Sequence, residues 1–458
     1  MVSMTLDEVR AAVRSPRDPE KPLPDVSVSA VSTDTRAIEA GSLFVALRGE
    51  NFDGHDFLQA AEQAGAAAAI VEAEGEVSIP QIVVPDTRRS LGDLALAHRR
   101  RLKGCKVIAV AGSNGKTTTK RLIHAALSQK LTGTVSPASF NNDIGVPLTL
   151  LPAKASDDFV ILECGTNHPG EIERLSKISE PDVAVITSIG EEHLEGLGDL
   201  QGVRRENMAI TEGMNAKGLL IVHGDDKPLA ALAKGFAGRV ATFGVHDSND
   251  LWAKDIVTST AGVSFKLNGS RTQVNVPLLG RHNATNALAA IAVARRLGLD
   301  DDTMLTGLLN AEGPAMRMQR SVVGGVTILN DAYNANPASM KAALELFGET
   351  SCEGRKIAVL GDMLELGGQF RAYHEAAGAQ VKAAKVDALV TVGEAAKHIG
   401  EGAKVAGFAA GRVMHVADAA TAARTFASGL QSGDLVLLKG SRGMKLEIIA
   451  EAIEAARG

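Results

Sequence analysis

The chain has 458 residues and a mass of 47.6 kDa, which at about 150 residues per domain predicts roughly three domains. Lys and Arg number 48 against 54 Asp and Glu, so the formal net charge is −6 and gives no basic footprint for nucleic acid. Aromatic residues make up only 3%, which argues against recognition of single strands by base stacking. The 45% hydrophobic and 22% charged fractions are typical of a globular protein with several cores.

The cysteines and the N-terminal segment favour a cytoplasmic protein. Cys105, Cys164 and Cys352 lie far apart and form no CxxC pair, which predicts reduced, mostly buried thiols. The first residues lack the basic and apolar segments of a signal peptide. No apolar run approaches the length of about 18 residues needed to cross a membrane.

Residues 1–104 are expected to form a small α/β domain. Short apolar runs between Gly and Pro residues predict strands over 26–31, 42–47 and 81–84, with helices over 57–64 and 89–101. The run at 66–71 fits either a strand or a helix end.

Residues 105–315 are expected to form a parallel sheet covered on both faces. Near-continuous Val, Ile and Leu runs alternate here with helical stretches, and the expected strands are 106–110, 159–162, 183–186 and 219–222. The stretch 240–276 is richer in Thr, Ser and Val and contains the turn signal Asn268-Gly269, which predicts a small antiparallel insert.

Residues 316–458 are expected to form a second doubly wound, Rossmann-like domain. Strand patterns again alternate with helical ones, and a helix over 444–455 ends the chain. The expected strands are 326–329, 357–360, 388–392, 413–416 and 435–438.

The most informative segment joins the first central strand to a helix. It reads Gly112-Ser113-Asn114-Gly115-Lys116-Thr117-Thr118. Glycines let backbone N–H groups converge on phosphate oxygens, and the helix N-terminus adds partial positive charge. Lys116 would meet the β- and γ-phosphates, and Thr117 would offer a hydroxyl to Mg²⁺. A Gly-rich turn with an incidental lysine is the alternative, and the strand–GKT–helix context favours nucleotide binding.

Two further polar residues follow central strands. Glu163 ends the run at 159–162, and His193 comes shortly after the run at 183–186. Because ligands bind at the carboxyl ends of parallel strands, we expect both to converge with Lys116 on one crevice, where a second metal site is expected. Taken alone, Glu163 could be a helix cap and His193 an ordinary loop histidine.

Three weaker signals lie later in the chain. Asn283 and Asn286 could reach a base or cap the helix that follows them. Arg317 could form a linker salt bridge or reach phosphates from the domain boundary. The polar segment 330–337 could be a capped turn, and its density of Asp and Asn at a strand end also fits a site.

Over nearly its whole length the sequence resembles the Mur ligases. The resemblance rests on an ordered set of motifs: Ser32-Thr-Asp-Thr-Arg36, Phe44-Val-Ala-Leu-Arg-Gly49, Asp53-Gly-His-Asp56, Gly112 to Thr118, Asn141-Asn-Asp-Ile-Gly-Val-Pro147, Glu163, Gly170-Glu-Ile172, His193-Leu-Glu-Gly196, His282-Asn283, Asn286, Arg317, Asp331 to Pro337, Leu360-Gly-Asp-Met-Leu-Glu-Leu-Gly367 and Lys439-Gly-Ser-Arg442.

The resemblance implies a three-domain ligase that uses ATP and Mg²⁺ to join D-alanyl-D-alanine to UDP-MurNAc-tripeptide through an acyl phosphate. Separately, we expect a monomer. The resemblance also implies phosphate and metal contacts for Lys116, Thr117, Glu163 and His193. Carried over residue by residue, it places adenine near Asn283 and Asn286, ribose near Asp331 and phosphates near Arg317. The implied substrate-binding residues are Thr33, Asp34, Thr35 and Arg36 for the uridine diphosphate, Asn141 and Asn142 for the muramoyl or peptide part, and Asn334 and Asn336.

The sequence departs from the family pattern at one position. The family usually carries a carbamylated, metal-holding lysine fourteen residues after the His193 equivalent, where this chain has Asn207. We expect the second Mg²⁺ to be held instead by His193, substrate oxygens and water, with the Asn207 amide as an outer partner. Direct replacement by Glu206 is the less favoured alternative.

Two other functions compete with this interpretation. A folylpolyglutamate synthase, or the ligase that adds the third peptide residue, would share the fold, and the Asn141-Asn142 pair argues against both. A P-loop switch or binding module is a different class, against which the second α/β domain and the polar segment 331–337 argue.

Overall fold

The computed structural model describes residues 1–15, 23–270, 272–426 and 429–457, and its strands form four sheets. The strands of the three larger sheets lie within the three ranges predicted for the domains, and the boundaries themselves stay a prediction. None of the helices in the described ranges is long and apolar enough to span a membrane.

The first region contains a two-stranded antiparallel sheet and a four-stranded parallel sheet. The single strand predicted over 26–31 is wrong, since this segment is divided between the two sheets, and 66–71 contains a strand. The elements are β1 (Met4–Thr5), α1 (Leu6–Ala12), β2 (Ser27–Val28), β3 (Val31–Ser32), β4 (Leu43–Val45), α2 (Leu58–Gln63), β5 (Ala68–Val71), β6 (Gln81–Val83) and α3 (Thr87–Arg99).

The central region is built on a nine-stranded sheet. Its strands are β7 (Lys106–Ala111), β8 (Gly133–Val135), β9 (Phe159–Glu163), β10 (Val183–Ile186), β11 (Leu219–His223), β12 (Arg239–Gly244), β13 (Leu251–Ser259), β14 (Gly262–Leu267) and β15 (Gln273–Val276). Its helices are α4 (Lys116–Leu127), α5 (Gly145–Leu150), α6 (Glu171–Ser179), α7 (Leu194–Leu197), α8 (Leu200–Met208), α9 (Lys227–Ala233), α10 (His282–Arg296) and α11 (Asp301–Leu309).

The sheet order places β7 between β9 and β10, so the strands that lead to Glu163 and His193 flank the strand that leads to the phosphate loop. Both faces of β7 are covered, because Val107 and Ala109 pack in one core and Ile108 and Val110 in another. A strand buried on both faces must be apolar throughout, which is why these runs were visible in the sequence.

The segment predicted as an antiparallel insert extends the central sheet. β13, β14 and β15 pair antiparallel as expected, and Asn268-Gly269 forms a turn directly after β14, where the Ser270 N–H donates to the Leu267 carbonyl. The first strand of the segment differs from the prediction, since β12 pairs parallel with β11 and β13.

The third region has a six-stranded sheet that is parallel except for one edge strand. That edge strand, β16, was not predicted because its residues are mostly exposed and form no apolar run. The elements are β16 (Gln319–Val323), β17 (Val326–Asp331), α12 (Pro337–Glu349), β18 (Lys356–Gly361), α13 (Phe370–Ala383), β19 (Ala388–Val392), α14 (Lys397–Val405), β20 (Val413–Val416), α15 (Ala419–Phe426), β21 (Leu435–Lys439) and α16 (Glu447–Arg457).

The hydrophobic cores do not correspond one to one with the sheets. One core extends from the first region into the central one. It contains Leu91 and Leu94 of α3, Leu150 of α5, Leu175 of α6 and one face of the strands β7, β9, β10 and β11. The third region has two cores of its own, one on each face of its sheet.

Candidate active site

A cavity of about 1200 Å³ lies between the central and third regions. Its walls include the ends of central strands, the polar segment after β17 and Lys439 at the end of β21. The predicted site residues that line it are Ser113, Asn114, Gly115, Lys116, Thr118, Asn141, Asn142, Glu163, His193, Asn283, Asn286, Arg317, Asp331, Asn334 and Asn336.

The phosphate loop has the tight path that its glycines permit. Gly112 and Gly115 have positive φ values of 123° and 84°, which residues with side chains rarely adopt. A Cβ atom on Gly115 would lie 2.5 Å from the Asn286 side-chain oxygen. α4 begins at Lys116, so its first N–H groups face the loop as an anion-binding helix terminus does.

The loop is fixed to the chain that follows β10. The Ser113 N–H donates to the Ser188 carbonyl at 2.6 Å, and the Thr187 hydroxyl donates to the Asn114 carbonyl at 2.6 Å. These bonds between protein groups fix the shape of the loop, which reduces the ordering that a phosphate must impose on it.

Lys116 extends back along the loop. Its Nζ donates to the Gly112 carbonyl at 2.5 Å and to the Ser113 carbonyl at 3.2 Å. The ammonium therefore lies in the concave side of the loop, where a phosphate would be expected to attract it.

Glu163 forms a buried ion pair with Lys120, a residue that the sequence analysis missed. The Glu163 Oε2 atom lies 3.1 Å from Lys120 Nζ, and the two side chains are 1% and 2% exposed. Asn141 Nδ2 donates to Glu163 Oε1 at 3.3 Å. Burial lowers the pKa of Lys120, and the Glu163 carboxylate opposes that shift. Lys120 lies one helical turn after Lys116, a spacing that could have drawn attention to it.

His193 connects the central region to the third. It adopts a left-handed backbone with φ 50°, and its Nδ1 contacts the Glu365 carboxylate. With Nδ1 donating to Glu365, Nε2 is left as the acceptor or ligand atom. Nε2 lies 4.0 Å from the buried Glu192 carboxylate, another residue that the sequence analysis missed although it directly precedes His193.

Asn283 and Asn286 lie inside the first turns of α10 and do not cap it. Arg281 is the N-cap residue and makes no side-chain cap bond. Asn283 Nδ2 donates to the Leu279 carbonyl at 2.8 Å, and Asn286 Nδ2 donates to the Asn283 side-chain oxygen at 2.9 Å. Both amides thus belong to a buried polar network at the cavity wall.

Arg317, which follows the boundary between the central and third regions, reaches the end of the phosphate loop. An Arg317 Nη2 donates to the Thr117 hydroxyl at 3.2 Å, and the guanidinium lies 4.2 Å from the centre of the Tyr333 ring. Asp331 pairs with the buried Lys439 at 2.6 Å, and its other oxygen accepts from the Met318 N–H at 3.0 Å.

Asn336 provides a second direct link between the regions. Its side-chain oxygen caps α12 by accepting from the Ser339 N–H, while its Nδ2 donates to the Asn114 side-chain oxygen at 3.0 Å. Asn334 stays local, since its side-chain oxygen accepts from the Ala335 N–H.

Four predicted substrate residues, Thr33, Asp34, Thr35 and Arg36, lie outside this cavity. Among the described residues, none of the four belongs to its lining. The exposed Arg36 holds Asp34 at 2.6 Å and lowers the pKa of that carboxyl to about 2. Asn142 does line the cavity, where its side-chain oxygen accepts from the Gly145 N–H at the start of α5.

The structure does not support the expected metal role of Asn207. Its buried amide donates to the Val203 carbonyl of the same helix at 2.9 Å, and within the described ranges Asn207 is not part of the cavity lining. Glu206 is also engaged, because its carboxylate accepts from the Gly170 and Ile172 N–H groups at 2.8 Å each.

The remaining donors fit a hard divalent cation. Thr117 and Glu163 offer oxygen atoms, which Mg²⁺ prefers, and the buried Glu163 carboxylate is held in place by Lys120. His193 keeps Nε2 available. The three cysteines are free thiols, and burial raises the pKa of both Cys105 and Cys164 to about 12, so neither is suited to act as a nucleophile.

Comparison with known proteins places this site in context. The models "Mur ligase family, catalytic domain", "Mur ligase middle domain" and "Mur ligase, glutamate ligase domain" match residues 27–103, 110–294 and 316–442. The chain is 39% identical to the UDP-N-acetylmuramoyl-tripeptide–D-alanyl-D-alanine ligase of Bacillus subtilis (strain 168), over 93% of this chain and 94% of that one.

Two solved structures share the whole fold. A crystal structure of MurF from Acinetobacter baumannii superposes with a TM-score of 0.89 at 30% identity, covering 99% of both chains. The MurF ligase of Thermotoga maritima in complex with ADP superposes with a TM-score of 0.82 at 27% identity, covering 93% of this chain and 97% of that one.

Proposed function

The chain belongs to the Mur ligase family, and from that premise we propose that it joins D-alanyl-D-alanine to UDP-N-acetylmuramoyl-tripeptide at the expense of ATP. The products are UDP-MurNAc-pentapeptide, ADP and phosphate, and the reaction belongs to peptidoglycan precursor synthesis. The observation that carries this function is the single cavity that joins the phosphate loop, Glu163 and His193 to the polar strand ends of the third region.

The chemistry explains why these residues are needed. A carboxylate is a poor electrophile, so phosphoryl transfer from ATP first converts the tripeptide carboxylate into an acyl phosphate. The free amine of the dipeptide then attacks the acyl carbon and phosphate leaves. The protein contributes positioning and neutralisation of charge, and no Ser or Cys nucleophile is required.

We propose that Lys116 and Arg317 bind the phosphates, that Asn283 and Asn286 contact adenine, and that Asp331 contacts the ribose. The short contact between Arg317 and Thr117 supports the first assignment, since it places the guanidinium beside the phosphate loop. Asn141 lies against Glu163, which supports a position for the muramoyl or peptide part near that strand end.

Mg²⁺ is part of the proposal: Thr117 and Glu163 would hold one ion, and His193 would hold a second with substrate oxygens and water. When bound, the two cations would neutralise phosphate charge during transfer. Lys120 fixes the rotamer of Glu163, and Glu365 fixes the ring of His193, so both candidate ligands are oriented before any cation binds.

The remaining assignments are also proposals. Thr33, Asp34, Thr35 and Arg36 would bind the uridine diphosphate, since exposed Arg36 can offer donors to phosphate, and Asn334 and Asn336 would face the incoming dipeptide. The domains would be 1–104, 105–315 and 316–458. We also propose a monomer in the cytoplasm, where a reducing environment suits the three free thiols.

A phosphate-release assay tests the function. Purified protein with ATP, Mg²⁺ and UDP-MurNAc-tripeptide should release phosphate rapidly only when D-alanyl-D-alanine is added, and mass spectrometry should find the pentapeptide product. D-alanine alone serves as the control amine. Equal phosphate release with and without the dipeptide would contradict a ligase and favour a nucleotide-dependent switch.

A further inference from the structure

Glu192 is a buried carboxylate that faces the cavity without a close partner. Its side chain is 7% exposed, Oε1 lies 3.9 Å from Lys116 Nζ, and Oε2 lies 4.0 Å from His193 Nε2. Among the residues that the structure describes, no group donates a hydrogen bond to it. The Glu192 carboxylate therefore faces the cavity between the ammonium of Lys116 and the ring of His193, with its oxygens open to a group that enters the cavity.

The neighbouring carboxylates are already engaged. Glu163 is paired with Lys120, Glu206 accepts from backbone N–H groups, and Glu365 contacts His193 Nδ1. Asp331 is paired with Lys439. Glu192 differs from all four, because both of its contacts are longer than a hydrogen bond and both partners are groups assigned to phosphate or metal.

We propose that Glu192 supplies to the second metal site the negative charge that Asn207 cannot provide. In the family pattern this charge comes from a carbamylated lysine at position 207, and here that position holds a neutral amide bonded to its own helix. Glu192 lies beside the free Nε2 of His193 and brings carboxylate oxygens, which Mg²⁺ prefers to amides and imidazoles.

The inference rests on the metal-dependent ligation proposed above, and its test uses a readout other than turnover. Mn²⁺ is the probe, and the ATP analogue AMP-PNP occupies the nucleotide site. Electron paramagnetic resonance counts the bound Mn²⁺ ions per AMP-PNP complex. The unmodified enzyme should bind two ions, and Glu192→Gln should bind the weaker one at least tenfold less tightly.

Two matched variants complete the experiment. Glu195→Gln removes the same charge three residues away at an exposed position and should leave both ions unchanged. Glu192→Asp keeps the carboxylate on a shorter arm and should retain the second ion with intermediate affinity. Thermal unfolding will show whether Glu192→Gln folds normally. If it does not, Glu192→Asp still tests whether the position of the carboxylate affects binding of the second ion.

The possible results distinguish a Glu192 that binds the second metal ion from a Glu192 that acts only through Lys116. If Glu192→Gln keeps both Mn²⁺ affinities and changes only AMP-PNP binding in EDTA, Glu192 acts through Lys116 and the inference is wrong. Uptake of a single Mn²⁺ ion by the unmodified enzyme would also overturn it, whatever the phosphate-release assay shows. Failure of that assay with two ions bound would instead count against the proposed function.

Discussion

The charged side chains around the cavity are held mainly as buried pairs. Lys120 with Glu163 and Lys439 with Asp331 are the clearest cases, with both lysines almost fully buried. Removing one partner of a buried pair leaves an uncompensated charge and costs about 3–5 kcal/mol. Lys116 is different, because its Nζ bonds only backbone carbonyls and lies 3.9 Å from Glu192, which leaves it able to respond to a phosphate.

Replacement of Lys116 by Ala should therefore affect catalysis far more than stability. We expect kcat to fall by about 100- to 1,000-fold, as when one electrostatic catalytic group is removed. Lys130→Ala is a suitable control, since it removes an exposed lysine just beyond the same helix. Near-normal phosphate release by the Lys116 variant, with an unchanged melting temperature, would contradict the assignment of the loop.

Asn207 leads to a prediction about bicarbonate. No carbamate can form on an amide, so ligation by the unmodified enzyme should have the same rate in CO₂-depleted buffer and in added bicarbonate. Asn207→Lys restores an amine that can be carbamylated, and its activity should rise with bicarbonate. A bicarbonate requirement in the unmodified enzyme would show that another lysine carries the carbamate.

The site was predictable to the extent that its residues follow strands or form local motifs. Lys116, Glu163 and His193 follow three adjacent strands, so their proximity could be inferred from the order of the apolar runs. Glu192 and Lys120 were missed although they lie beside His193 and one turn after Lys116, because their roles depend on burial and on which group faces them. Asn207 was given a metal role from a family position, and only the helix geometry shows its amide bonded to Val203.

At the scale of elements, buried strands were easier to predict than exposed ones. β10, β19 and β20 match the predicted bounds. β10 is covered on both faces and is apolar from end to end, whereas β19 contains Thr391 and β20 is partly exposed but keeps two valines and a methionine. β16 lies at a sheet edge and carries mostly polar side chains, so its sequence has no apolar run from which a strand could be predicted. The parallel pairing of β12 was also hidden, since pairing direction depends on the path of the chain and not on composition.

Helix α3 contains a histidine that should make stability depend on pH. His98 is fully buried, its Nε2 contacts the Ala153 carbonyl at 3.0 Å and its Nδ1 has no partner. Burial lowers the pKa of His98 from 6.5 to about 4. The folded form therefore resists protonation, and the stability present above pH 6.5 should be lost as the pH falls toward 4.

A glutamine in place of His98 tests this effect, because its amide can reach the same carbonyl and does not titrate. Between pH 7 and pH 4.5 the free energy of unfolding should fall by about 2–3 kcal/mol more in the unmodified protein than in His98→Gln. Urea unfolding followed by circular dichroism at the two pH values provides the comparison. Equal falls in the two proteins would mean that His98 is protonated without cost.

At the scale of the whole molecule, three polar contacts hold the third region against the central one. They are Asn336 with Asn114, Arg317 with Thr117, and Glu365 with His193. Each contact is polar and has at least one residue in the cavity lining, so the arrangement resembles a closed state that ligands would stabilise.

Small-angle scattering should detect the corresponding motion. Addition of AMP-PNP and UDP-MurNAc-tripeptide should reduce the radius of gyration, because neither region alone completes the site. AMP-PNP with D-alanyl-D-alanine but no muramoyl substrate provides a comparison, and it should compact the protein less. An identical scattering profile with and without saturating ligands would contradict closure on binding.

The first and central regions share one hydrophobic core, so the boundary between them does not separate two independent interiors. Leu91 and Leu94 of α3 belong to the same apolar cluster as Leu150 and Leu175, and Gly92 lies so close to Ile178 that a Cβ there would be 2.9 Å from it. A cut near residue 104 would thus expose a packed interior on both fragments. We therefore expect that the first region will not fold when it is cut from the central sheet on which it rests, because part of its interior is supplied by that sheet.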